Sequence, residues 1–296
     1  MTERKVERTV LSVEQAEGVG ARVRRSIGRK ELRNLDPFLM LDEFRVRKPA
    51  GFPDHPHRGF ETVTYVLEGV TAHEDFCGHS GRLEAGDLQW MTAGQGVVHA
   101  EMPVSEEPVV GLQLWVNLPS RDKMVEPAYQ ELKGSEVPKA SQGGVTVSVI
   151  SGEALGAKSK VYTRTPTFYL DFRLQRGATH VQPVPSGWTT FIYTLSGTIH
   201  AGELCLLNVL LKSPTVLSAL SDIVHFPYCR LMYPLQIISD FVFSHTVLII
   251  LVGYVSLGFI TPPCSCCHIC FTTMCVISVQ LQLPIYVQHN EPRVPL

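Results

Sequence analysis

The stretch His55-Pro-His-Arg-Gly-Phe-Glu-Thr-Val-Thr-Tyr-Val-Leu-Glu-Gly69 decides the fold. From Phe60 to Glu68 polar and apolar residues alternate, and the run stops at a glycine, which is the period of a β-strand closed by a turn. The leading His55-Pro-His57 sets two imidazoles two residues apart, so a strand presents both on one face. About forty residues on, His99-Ala-Glu101 repeats the device with an imidazole and a carboxylate. If the two strands face each other inside a barrel, four groups converge on one cation. Three imidazoles and one carboxylate suit a mid-transition metal such as iron; magnesium and calcium prefer oxygen shells. Periodicity leaves the fourth group open, because Glu61, four residues after His57, shares that parity as well as Glu101 does.

The same rhythm extends in both directions. Arg8–Val13, Ala21–Gly28, Phe38–Phe44, His73–Phe76, Gly86–Thr92, Val97–Glu101 and Val110–Leu118 read as short strands. Gly78, Gly81, Gly86, Gly94 and Gly96 supply turns between them. Short strands at this spacing predict an all-β barrel or jelly roll. Pro119 to Pro138 reads as a polar connector. A second β-rich segment starts at Val145 and reaches Thr189-Thr-Phe-Ile-Tyr-Thr-Leu-Ser-Gly-Thr-Ile-His200, which echoes Glu61–Gly69 in type and suggests an internal repeat. The second copy has Pro183-Val-Pro-Ser-Gly-Trp188 where the first has His-x-His, so it carries the fold without the metal pair.

A net charge of −2 over 296 residues gives no long-range field for nucleic acid or anionic membrane. Twelve Lys/Arg against eight Asp/Glu in the first fifty residues reads as a solvated surface, and the charged start Met-Thr-Glu-Arg-Lys-Val-Glu-Arg as an intracellular protein. Composition then breaks. Only Lys212, Asp222, Arg230 and Asp240 are charged between 204 and 290, and seven of the eight cysteines lie past 203. One soluble domain needs surface charge along its whole length, so a junction is expected near 203. Phe241 to Ile260 is long and apolar enough to span a bilayer as a helix, though without a basic flank. The ligands of Cys264-Ser-Cys-Cys-His-Ile-Cys270 are too crowded for a zinc site.

His55–Gly69 resembles the first cupin motif in the form found in the pirin family. Gly86-Asp-Leu-Gln-Trp-Met-Thr-Ala-Gly-Gln-Gly-Val-Val-His-Ala-Glu101 resembles that family's second motif, and Asp36-Pro-Phe-Leu-Met-Leu-Asp-Glu-Phe44 its early signature. The resemblance runs from the amino terminus to about Glu203. It implies a bicupin: a metal-binding barrel over 1–118, a connector over 119–144 and a partial second barrel over 145–203. An atypical hydrophobic, Cys-rich tail follows over 204–296, reading as an alternative exon, retained intron or frameshift product. The family's ligands map onto His55, His57, His99 and Glu101, which selects Glu101 over Glu61 and implies one mononuclear non-haem iron per chain. Further implications are quercetin 2,3-dioxygenase-type chemistry on a flavonol-like molecule and O2, with Glu101 as catalytic proton acceptor, and redox-sensitive nuclear co-regulation with transcription factors such as nuclear factor kappa-B, in nucleus and cytoplasm. Arg22, Arg24, Arg25, Arg29 and Lys30 would offer a basic contact surface. Sequence-specific nucleic-acid binding is not expected, and membrane contact only through 241–260. The alternatives are a non-catalytic metal-dependent binding module and a nonfunctional or membrane-diverted splice product.

Overall fold

The computed structural model describes residues 6–201 and, past them, the backbone of four strands up to 254. These fall in the unit Thr2–Leu257; the chain's second unit, Met1 with Gly258–Leu296, lies outside the described residues. So does the cysteine run at 264–270.

The described chain is all-β. Its first strands are β1 (Arg8–Leu11), β2 (Val13–Glu17), β3 (Ala21–Ile27), β4 (Phe38–Val46), β5 (Phe52–His57) and β6 (Phe60–Glu68). Then come β7 (Val70–Asp75), β8 (Ser80–Glu84), β9 (Leu88–Thr92), β10 (Val97–Pro103), β11 (Val109–Asn117), β12 (Ala128–Leu132) and β13 (Lys139–Gln142). The second half adds β14 (Val145–Ser151), β15 (Glu153–Ala154), β16 (Ala157–Lys158), β17 (Thr167–Gln175), β18 (Thr179–Val184) and β19 (Trp188–Ala201). The four backbone segments are β20 (Leu204–Asn208), β21 (Asp222–Phe226), β22 (Tyr233–Ser239) and β23 (His245–Tyr254).

Two sheets make the first barrel. One has seven strands in the order β12-β9-β6-β11-β4-β3-β2, the other four in the order β5-β10-β7-β8. Val23, Phe44, Val66, Leu83 and Val109 pack between them, with Phe52 against the cluster. The second barrel has its own core of Val147, Val149, Leu170, Phe172, Val184 and Ile192. A third apolar layer joins the two barrels: Val63, Tyr65, Trp90, Leu112, Leu114 and Val116 meet Ile150, Tyr169, Phe191 and Tyr193. Each large apolar side chain so buried contributes roughly 1.5–3 kcal/mol. This layer explains why β6 is buried on both faces, where its alternation predicts one solvated face. Thr64 and Val66 face the first barrel's interior, and Val63 and Tyr65 turn to the second barrel.

The expected connector is structured at both ends: β12 pairs with β9 of the first barrel, and β13 with β14 of the second. Past residue 201 further backbone strands pair with the second barrel. β23 pairs with both β17 and β19, β22 with β18, and β21 with both β19 and β1. The tail can do this because strand pairing uses main-chain groups, and its β-branched stretches favour extended backbone. β23 lies inside the 241–260 segment, so that stretch is strand where it is described. Among the described residues no helix is long and apolar enough to cross a membrane.

Candidate metal centre

β5 and β10 are antiparallel neighbours in the four-stranded sheet, with His55 opposite His99, His57 opposite Val97 and Glu101 opposite Phe52. The two motifs thus converge side by side on neighbouring strands of one sheet. An edge position suits β5, whose Pro53 and Pro56 cannot donate to a ladder. Register shifts between His99 and Glu101, where three residues of β5 span two of β10. Such a bulge bends a strand and re-aims its side chains.

One ring nitrogen from each of His55, His57 and His99 lies within 4.8 Å of the other two. His57 Nε2 and His99 Nε2 are 3.0 Å apart. Two imidazole nitrogens that close either share a proton or face a common cation. His55 Nδ1–H donates to the Pro53 carbonyl at 2.8 Å, which leaves its Nε2 with the lone pair. His57 and His99 are 4% and 1% exposed, and their Nδ1 atoms have no hydrogen-bond partner among the described residues. Burial, then the charges of His99 and His55, push the His57 imidazole down to about 3. Burial lowers His99 too, against the opposing charge of Glu101. Both are neutral at physiological pH, the state in which imidazole binds a cation. The donor set therefore fits a transition metal.

Glu101 is buried beside the triad, its Oε2 3.9 Å from His99 Nε2. Thr64 Oγ1 donates to Oε1 at 2.9 Å, and Gln113 Nε2 to Oε2 at 3.0 Å. Glu61 goes elsewhere. Gly59, at φ 79°, turns the chain between β5 and β6, so parity does not carry across. Glu61 is on the Val63–Tyr65 side of β6, toward the second barrel, and is fully buried with Oε1 accepting from Thr92. Burial drives its carboxyl up to about 7, with Thr92 and Trp90 opposing.

His55 and His57 open on a cavity of about 680 Å³. Its apolar wall includes Phe44, Phe52, Val109 and Trp115. Trp115 packs edge-on to His57 at 5.3 Å between ring centroids, and its buried Nε1–H has no acceptor among the described residues. Arg25, expected on a basic surface, lines this cavity instead. It makes two hydrogen bonds to buried Asp42, at 2.8 and 2.7 Å, and one to Glu17. The Asp42 partnership raises the Arg25 guanidinium further. Arg22 pairs with Glu14 and Arg29 with Glu31, so carboxylates neutralise much of that patch. Thr64, Gln113 and Trp115 escaped the sequence reading because only the pairing of β6 with β11 brings them to the cavity. Among the described residues, the second barrel gathers no comparable group of ligands.

The family model for Pirin matches residues 20–116. Human Pirin is 72% identical over 200 residues, covering 67% of this chain and 69% of the human protein. A quercetin 2,3-dioxygenase from Acinetobacter baumannii superposes with a TM-score of 0.73 at 28% identity, covering 86% of this chain and 88% of that one. The bacterial pirin YhhW from Escherichia coli, solved in complex with nickel(II), superposes with a TM-score of 0.64 at 17% identity, covering 84% of this chain and all of its own. That last likeness is one of fold. With two motifs, a bicupin architecture and this degree of identity, the chain belongs to the pirin family.

Proposed function

We propose that the first barrel holds one mononuclear iron and carries out quercetin 2,3-dioxygenase-type oxidation of a flavonol-like substrate. The observation that carries this reading is the convergence of His55, His57 and His99, two of which line the cavity. Glu101 would complete the set. Iron bound there would supply a Lewis-acidic, redox-active centre with positions left open for ligands.

The chain's own residues do the rest. Phe44, Phe52 and Trp115 give a planar aromatic ligand an apolar berth. Trp115 Nε1–H is a donor awaiting a ligand oxygen. Glu101 Oε2, beside the triad, accepts the proton of a flavonol hydroxyl. The structural likeness to a quercetin 2,3-dioxygenase at 28% identity supports the same reading. To test it, full-length protein is loaded with iron(II) and given quercetin and oxygen. Metal near one per chain and loss of the flavonol absorbance are expected, both abolished by His57→Ala. Unchanged absorbance with metal bound refutes the activity.

A second reading, binding of transcription factors such as nuclear factor kappa-B governed by the iron's oxidation state, is favoured by one observation. His55 is only partly buried, so a change of one charge at the triad acts close to the surface. Equal capture of a partner by the iron(II) and iron(III) proteins refutes it.

A further inference from the structure

We infer that Thr64 and Gln113 are positioning residues that act through Glu101 and set its carboxylate at the histidine triad. The inference rests on the metal reading above and names what tunes that site. Thr64 on β6 and Gln113 on β11 are direct cross-strand partners. Partners on one rung project to the same face, here the cavity that both line. Glu101 arrives from the other sheet, on β10. Thr64 Oγ1 holds Oε1 at 2.9 Å and Gln113 Nε2 holds Oε2 at 3.0 Å. Gln113 Oε1 lies 3.3 Å from Thr64 Oγ1, a longer second acceptor for the same hydroxyl proton.

Each carboxylate oxygen thus has its own donor. A quarter-turn of the carboxylate would break both bonds, so its plane is locked with Oε2 on the His99 side. Both donors are neutral. They restrict the carboxylate without cancelling its charge, which stays available to a cation. Hydrogen-bond partners of metal-binding carboxylates orient them and tune their donor strength, and losing one typically costs about 10–100-fold in metal affinity. The two hydrogen bonds run from this rung to β10 of the other sheet, so a displacement of β6 against β11 reaches Glu101 through these two side chains.

The test uses the full chain, with nickel(II) affinity from calorimetry and the visible spectrum of the cobalt(II)-loaded protein. Thr64→Val keeps the side-chain shape and removes the hydroxyl; Gln113→Leu removes the amide. Each is expected to weaken nickel(II) binding by about tenfold and to shift the cobalt(II) bands. Thr64→Ser, which keeps the donor, should match the wild type. In a Glu101→Ala background neither Thr64→Val nor Gln113→Leu should have any further effect. A general loss of packing would persist in that background, so equal weakening with and without Glu101 overturns the inference. Wild-type affinity and spectrum in both single variants also overturn it. A wild-type chain that binds no nickel(II) overturns the metal reading itself.

Discussion

Replacing His57 by Gln changes how the fold responds to acid, and the size of the change follows from the site. Burial foremost, then the charges of His99 and His55, hold this imidazole down to about 3 from an ordinary 6.5. In the unfolded chain it titrates near its ordinary value. Between those two points the unfolded state takes up a proton that the folded state refuses. Stability therefore falls as pH falls through this window, by about 1.4 kcal/mol per unit. From about pH 7 to about pH 4.5 the titration covers roughly two units, so His57 alone removes about 2–3 kcal/mol. His57→Gln lacks that term. The assay is urea unfolding of metal-stripped full-length protein at both pH values. Other titrating groups, Glu61 among them, are common to both chains and largely cancel in the difference. The wild type should lose about 2–3 kcal/mol more than the variant. Equal losses would refute the argument that His57 is held neutral by burial.

Glu61→Gln should show the opposite sign. Its carboxyl is raised to about 7 from 4.5, so the folded state keeps a proton that the unfolded state releases, and the resulting stability is lost as pH rises through about 7. Near pH 8.5 the variant should exceed the wild type by about 1–3 kcal/mol in urea unfolding, with little difference near pH 5; a constant offset at both values contradicts this. Tyr65→Phe removes the hydroxyl that donates to Asp171 Oδ2 at 2.8 Å, while Asp171 Oδ1 has no partner among the described residues. That variant should lose about 1–3 kcal/mol in the same assay, and an unchanged urea midpoint would show that the bond across the barrels contributes nothing.

The strands and the histidines were legible because their signal is local. Alternation over Phe60–Glu68 and the spacing of His55 and His57 are properties of a few consecutive residues. What escaped depends on which strands become neighbours. Parity could not separate Glu61 from Glu101, because the turn at Gly59 resets it. The motifs alone could not say that β5 lies beside β10. The basic run from Arg22 to Lys30 read as surface, yet the pairing of β3 with β2 and β4 brings Glu14, Glu17 and Asp42 against it. The tail read as foreign because its side chains lack charge, while backbone pairing made no demand for it.

The triad sits on a ladder built from main-chain hydrogen bonds, which do not use the side chains that would hold a cation. A metal held there is therefore expected to leave to a chelator and return without the protein having to refold. Which cation occupies it is then governed by supply and exchange rate as much as by selectivity. Protein recovered from nickel-rich or iron-poor medium would carry a record of that medium, and reconstitution with a defined ion is what tests the proposed oxidation.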